Sequence, residues 1–523
     1  MSEIGDDPAA TASERPKKKD KVRSVWISFV GGIVAQIIGA IASVVLGIFI
    51  LQRYQDSAAP PPSAPPAAPV ARTERAIAVL PLDNFSPNEG DAYFAAGMTE
   101  VLISDLAQMR GWRVISRTST EMYRKTTKSI AQIAGELNVD LIIEGSVTKA
   151  GDRVRVVTQL IDAKTDEHLW ARTYDRSTKD VLALQSELAR EIAKSVKAAL
   201  PPEHQRRLNI RAGFDPAVYD LYLRGRQAWN LRTPEGLSAA VKLVSEALER
   251  EPDFALLHVG LADAYILGGT ASSGRFDARE RVTRARASAE RALALAGHMA
   301  ESHTSYAAVL FFGDRDVAAA EREFRRAIEL NPNYPLARQW FAILLAEQRR
   351  DGEALAHAET AVRPDPMEAT FHQALGLVHY YGGRYAAAVA AERRALELRP
   401  QLPFARVMMI KSPVMNGDHG GAVRECGEVL NLPAAAVDLQ VNCAIAMQRA
   451  GDSRARSHVD RLRSQRPPPR SALLQWHAAS GDLAGAFELL AALRSQDNVP
   501  PNLAFDPMFA ALRADARYAK LIR

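Results

Sequence analysis

The chain has 523 residues, 47% of them hydrophobic and 24% charged, with a formal charge of +5. That length exceeds what one core fills, and the apolar share excludes a chain disordered throughout, so two or more folded units are expected. The small positive balance is spread along the chain and leaves no nucleic-acid footprint; its many arginines read as solvated helix faces.

Residues 1–24 form a basic tail carrying Arg15, Lys17, Lys18, Lys19, Lys21 and Arg23. Residues 25–51 are apolar apart from Ser28, Gln36 and Ser43, long enough to cross a hydrocarbon core of about 30 Å as one tilted transmembrane helix. No small-residue cleavage site follows, so the run reads as an uncleaved anchor. Only Arg53 follows closely, so the excess of cations before the span predicts a cytoplasmic N-terminus with the bulk of the chain in the periplasm. Gly31, Ala35, Gly39, Ser43 and Gly47 recur every four residues, a ridge on which a homodimer is a candidate. Residues 52–73, rich in Pro and Ala, read as a semi-extended linker.

An α/β domain is expected over residues 74–200. Residues 76–82 (AIAVLPL) read as a buried strand, and Phe94, Met98, Val101, Leu102, Leu106 and Met109 as one stripe of a helix. A strand at 112–116 and a short helix at 129–137 follow. Strands at 139–147, 153–161 and 168–174 then alternate through turns at Gly151 and Asp166, and a helix from about 179 to 200 closes the order βαβαβββα. Asp83, Asn84, Thr99 and Glu100 admit two readings, a ligand cleft beyond the first strand or ordinary turn and cap chemistry, of which the second is the more common. The blocks IAVLPLDNFSPNEGDAYFAAGMTEVLISDL, WRVISRTST and LIIEGSVTKAGDRVRVVTQLIDAKTDEHLWARTYDR resemble the N-terminal-like domain of TolB-type periplasmic proteins, as found joined to tetratricopeptide arrays. In that family the module commonly follows a class III adenylate cyclase or winged-helix domain. The 24 residues before the span are too few for either, so neither activity is expected here.

From residue 216 to 523 the pattern is helical. Ala320, Ala327 and Pro332 recur as Ala354, Ala361 and Pro366, then as Ala388, Ala395 and Pro400, a step of 34 residues that is the tetratricopeptide (TPR) period. Small residues let paired helices approach, and proline ends each pair before the next. Ala240, Ala247 and Pro252 open the same register. The excess length before Pro332 is expected as an insertion around Gly268 to Gly274, and beyond Pro400 the register weakens, with Val429 and Ala434 where alanine and proline stood. About eight pairs are expected, with a short capping helix near 507–522. Gln339, Ile343, Gln373, Leu377, Tyr380 and Tyr381 fall on first helices at positions facing a concave groove, where a protein or peptide partner is expected; packing between helices is the competing role for the tyrosines.

The chain has no Gly-rich phosphate loop, H-E-x-x-H, C-x-x-C or G-x-S-x-G, and its histidines, His372 and His379 among them, are scattered. No catalytic residue, cofactor or metal site is expected. Cys426 and Cys443 fall on neighbouring helices of successive units, where either a disulfide or two packed thiols would serve. The expected protein is thus multidomain: one membrane helix, a small α/β domain and an all-α TPR solenoid, working as a non-enzymatic scaffold. The alternatives are a transmembrane signalling subunit lacking its own output domain and an enzyme with an unrecognised site.

Overall fold

A computed structural model describes residues 75–88, 92–107, 109, 111–198, 215–270, 278–430, 437–495 and 498–522. The described residues, all from 75 onward, belong to one compact unit. The basic tail, the span at 25–51 with its small-residue ridge, and the linker lie outside the described residues.

Strand β1 (Arg75–Val79) is the buried run expected, but it stops short of residue 82. Pro81 is the reason, since it has no amide to give the ladder. The chain resumes pairing as β2 (Asp83–Asn84), a two-residue strand not anticipated, parallel to Ser146 and Val147. Helix α1 (Ala92–Leu106), β3 (Trp112–Val114) and a further unanticipated helix, α2 (Arg117–Glu121), follow. Helix α3 (Ile130–Leu137) starts in a capping box between Ser129 and Gln132 and stops at Asn138, which is left-handed at φ 55°.

Strands β4 (Leu141–Ala150), β5 (Arg153–Asp162) and β6 (Glu167–Ser177) run past their expected ends because the hairpins pair out to their turns. At the first of these, Gly151 supplies φ 61°. Helix α4 (Val181–Ser195) closes the domain. The sheet order is β3-β1-β4-β5-β6 with β2 also on β4; β3, β1 and β4 are parallel and the two hairpins antiparallel. Its main core joins Ile77, Val79, Met98, Leu102, Ile143 and Leu188, and extends to Tyr219 and Leu223 of the first array helix.

The array comprises eight described helix pairs: α5 (Pro216–Asn230) with α6 (Pro234–Arg250), α7 (Ala255–Thr270) with α8 (Ala278–Ala296), α9 (Ala300–Ala308) with α10 (Val317–Leu330), and α11 (Pro335–Glu347) with α12 (Asp351–Val362). Then come α13 (Ala369–Tyr381) with α14 (Tyr385–Leu398), α15 (Pro403–Met415) with α16 (His419–Val429), α17 (Val437–Arg449) with α18 (Arg454–Ser464), and α19 (Arg470–Ser480) with α20 (Leu483–Arg494). First helices begin at Pro335, Ala369 and Pro403, and second helices at Val317, Asp351, Tyr385 and His419, so the 34-residue step holds from Val317 to His419: these are TPR repeats. The register alanines Ala320, Ala327, Ala354, Ala361, Ala388 and Ala395 are all buried where helices cross.

Gly268 and Gly269 lie in α7, whereas the rest of the expected insertion, Ser272, Ser273 and Gly274, lies outside the described residues; α7 and α8 are 16 and 19 residues long. In six of the pairs the turn holds one left-handed residue, two positions before the second helix. Arg232, Arg315 and Arg349 fill it at φ 55°, 60° and 59°, whereas Gly383, Gly417 and Gly481 fill it later in the chain.

Beyond α20 the chain turns through 3₁₀ segments at Pro501–Ala504 and Pro507–Phe509 into α21 (Ala510–Ala514) and α22 (Ala516–Ile522). Leu503, Phe509 and Leu512 close the last pair against Leu474, Phe487 and Leu490, which is the cap expected there.

Candidate functional site

The cap does more than cover the end. Tyr380 and Tyr381 of α13 and Lys411 of α15 belong to the face made by the first helices, and residues 505 and 506 lie on that face. The Phe505 ring meets Tyr381 edge-on at 5.1 Å. Asp506, 1% exposed, accepts from the Tyr380 hydroxyl at 2.9 Å and the Met508 amide at 3.0 Å, and pairs with the Lys411 ammonium. Burial alone would raise its carboxyl, but Lys411 and these donors hold it below the usual range.

The six residues expected on an open groove are therefore placed differently. Gln339, Leu377, Tyr380 and Tyr381 are buried, and Ile343 and Gln373 half-buried. Gln339 donates its amide to the Thr370 carbonyl of the next unit at 3.0 Å. Tyr380 packs on Tyr381 and Tyr385, and its hydroxyl donates to Asp506 of the same chain.

The second feature lies where the α/β domain meets the array. The turns around the register prolines Pro332 and Pro366 dock against β3 and α2. Asn333 donates to the Trp112 carbonyl at 2.9 Å, the Ser116 amide to the Pro364 carbonyl at 3.3 Å, and the Ser119 hydroxyl to Asp365 at 2.5 Å. Burial, with Glu368 nearby, pushes the Asp365 carboxyl up to about 7. Tyr93 of α1 reaches Asp220 of α5 in the same junction.

Inside this junction is a cavity of about 380 Å³, within the range of small-molecule sites. Leu223, Tyr222, Leu336 and Phe371 give it apolar walls, and Arg117, Arg226, Arg232 and Arg399 bring charge to it. Two guanidiniums lie over the Trp229 ring, Arg226 at 4.4 Å and Arg232 at 3.5 Å from its centroid. Burial opposes the charge on Arg226, but the Glu100 carboxylate at 3.3 Å keeps its pKa above the ordinary arginine value. Burial pushes the Arg232 guanidinium down to about 10, against the pull of Glu368 and with the repulsion of Arg226 and Arg399.

Of the four residues given a possible cleft role, Thr99 and Asn84 do structural work. The Thr99 hydroxyl accepts from the Leu82 amide at 3.1 Å and donates to the Ala95 carbonyl, and Asn84 turns the chain by accepting from the Ser86 amide. Asp83 is exposed on β2. Glu100 alone reaches the cavity, joining Arg117 and Arg226. His372 contacts the Pro366 carbonyl and His379 accepts from Arg384. Among the described residues, no three His, Cys, Asp or Glu side chains gather as a metal site requires. Cys426 of α16 and Cys443 of α17 are bonded as a disulfide, with Cα atoms 5.5 Å apart.

Sequence reasoning passed over Arg226, Arg232, Trp229 and Arg399. One signal was available: arginine occupies the turn position at 232, as at 315 and 349, where the units from Gly383 onward use glycine.

The fold and site define a class, an α/β domain clamped to a TPR array around a charged cavity. Residues 73–191 match the family described as HilA/YgeH-like transcriptional regulator, second domain, under a quarter of the chain. That description differs from the TolB-type resemblance carried by the same residues. A protein named putative adenylate cyclase 3, from Rhizobium meliloti (strain 1021), is 38% identical over 205 residues, which cover 39% of this chain and 34% of that relative.

Among solved structures, PilW, titled a widely conserved type IV pilus biogenesis factor, is 19% identical with a TM-score of 0.34, covering 41% of this chain and 94% of its own. A tetratricopeptide repeat protein from Parabacteroides merdae is 12% identical with a TM-score of 0.33, covering 47% and 92%. YrrB, titled a TPR protein with an unusual peptide-binding site, is 22% identical with a TM-score of 0.24, covering 36% and 88%. The repeat assignment rests on the 34-residue register and helix pairing of this chain itself.

Proposed function

We propose that this chain is a non-enzymatic scaffold, anchored in the inner membrane by residues 25–51 with its N-terminus in the cytoplasm. Its TolB-like domain and TPR array stand in the periplasm and take a protein or peptide partner on the first-helix face. The observation that carries the reading is that this face already holds a peptide: Phe505 and Asp506 sit on Tyr381, Tyr380 and Lys411 as an aromatic and acidic ligand would. An external partner then competes with residues 501–509 for the same contacts. The Cys426–Cys443 disulfide suits an oxidising compartment.

Photo-crosslinkers at Gln373 and Ile343, half-buried beside the occupied face, test the partner site. Protein adducts are expected there and not from exposed Arg393 on the second helix of the same unit. Equal adducts from all three positions reject the groove. Orientation is tested with a single cysteine at Arg393 and a membrane-impermeant maleimide, the native cysteines being bonded to each other. Labelling is expected once the outer membrane is permeable, and labelling only after the inner membrane is broken rejects the periplasmic placement.

The names of the regulator family and the cyclase relative favour a second reading, in which the array senses a partner and the membrane helix signals to a separately encoded output protein. A crosslinker at Lys19 separates the two. Adducts with a cytoplasmic protein support signalling, whereas the scaffold alone expects none.

A further inference from the structure

The cavity between the α/β domain and the array carries donors that the protein leaves unused. The Trp229 indole N–H and Nη1 of Arg399 are buried without a hydrogen-bond partner among the described residues. The Arg232 guanidinium makes no hydrogen bond or ion pair to a described residue and stacks on Trp229. A buried donor left unmade is costly, so two of them around one space, with the unpaired Arg232 guanidinium beside them, are a feature to be explained.

The carboxylates lining the same space do not answer these donors, because each is already engaged. Glu100 pairs with Arg117 and Arg226, Glu121 with Arg124, and Asp365 accepts from Ser119. Glu368 accepts from Thr370 and meets Arg399 through its other nitrogen at 3.5 Å. Glu301 is engaged as well.

The repeat register sharpens the point. Arginines at the equivalent turn position spend their charge on the next unit: Arg315 pairs with Glu347 and Arg349 reaches the Tyr381 carbonyl. Arg232, held by the same left-handed turn, faces the cavity instead.

We propose that this cavity binds a small molecule with an oxyanion head, a carboxylate or a phosphate, on a short apolar body. The head is held by Arg232, Nη1 of Arg399 and the Trp229 N–H, while the body lies on Leu223, Tyr222, Leu336 and Phe371. Arginine suits this task because its planar fork donates two parallel hydrogen bonds to either kind of oxyanion. The site draws on both the domain and the array, so occupancy would tighten their junction.

The test is calorimetric titration of the full-length chain in nanodiscs with four probes: hexanoate, hexyl phosphate, inorganic phosphate and hexylammonium. At least one hexyl anion is expected to bind one to one, at least about tenfold more tightly than hexylammonium and than phosphate alone. Whether hexanoate or hexyl phosphate is preferred identifies the head group. Arg232→Gln and Arg399→Gln are each expected to weaken binding by about tenfold or more, and Ser104→Phe, which fills the cavity from α1 without changing its charge, to abolish it. Equal binding of hexylammonium, no binding by either hexyl anion up to about 10 mM, or unchanged binding in all three variants overturns the proposal. Ser104→Phe keeps the test valid if a Gln variant fails to fold.

Discussion

Lys411→Met is expected to destabilise the fold-back of residues 501–512 by about 3–5 kcal/mol, because it strands a buried carboxylate. Asp506 is 1% exposed and the Lys411 side chain 9%, so neither charge is screened by water. The hydroxyl of Tyr380 and the amide of Met508 remain, but they are neutral donors and do not replace a cation. The double variant Lys411→Met with Asp506→Leu removes both charges and is expected to recover most of the loss.

The pH dependence has a definite sign. The folded carboxyl of Asp506 lies below its unfolded value, so its contribution is present above the unfolded pKa of about 3.9 and is lost as pH falls through the folded one. Amide hydrogen exchange of residues 501–512 reads the effect locally, which matters in a repeat protein whose units open separately. Exchange unchanged by Lys411→Met at neutral pH would mean that the pair does not hold the segment.

Glu392→Met should move stability the other way, by about 1–3 kcal/mol in favour of the variant at neutral pH. Glu392 sits on α14, fully buried, and neither carboxyl oxygen has a hydrogen-bond partner among the described residues. It packs against Gly376 of α13, where a β-carbon would stand 2.5 Å from its Oε1. Burial holds this carboxyl well above the usual range, which favours its neutral form. A raised acid contributes fully below its unfolded pKa, about 4.3, and that contribution is lost as pH rises toward the folded value. The advantage of Met is therefore expected to be smallest near pH 4 and to grow on the alkaline side, opposite to the Asp506 trend. Thermal melts of both proteins across that range test it; a gap that stays constant with pH would show that Glu392 does not titrate.

The repeats were legible because their signal is local and periodic. Alanines at helix crossings and prolines after second helices repeat within a 34-residue window, so Ala320, Ala354 and Ala388 announce the stack without any knowledge of distant contacts. The hairpin strands were legible for the same reason, through alternation around Gly151. Two short elements escaped. β2 exists only because Pro81 interrupts β1 and Ser146 lies opposite, and α2 is five residues long.

The cavity and the occupied face escaped for a deeper reason. Ser119 meets Asp365, Asn333 meets Trp112, and Tyr380 meets Asp506, pairs far apart in the chain that no periodicity connects. Glu100 was flagged by its place after the first strand, yet its arginine partners come from α2 and from the first array helix. Arginines that composition reads as solvated helix faces include the ones that line the cavity.

The fold-back of Phe505 and Asp506 changes what kind of object the array is. An open solenoid is a chain of nearest-neighbour links, and load applied at its end peels one unit after another. Here the last segment is tied to α13 and α15, and the α/β domain ties α5 to the turns after Pro332 and Pro364. Each tie turns part of the line into a closed loop. Tension entering from either side is shared across several units in shear, and the stack yields in blocks rather than one hairpin at a time.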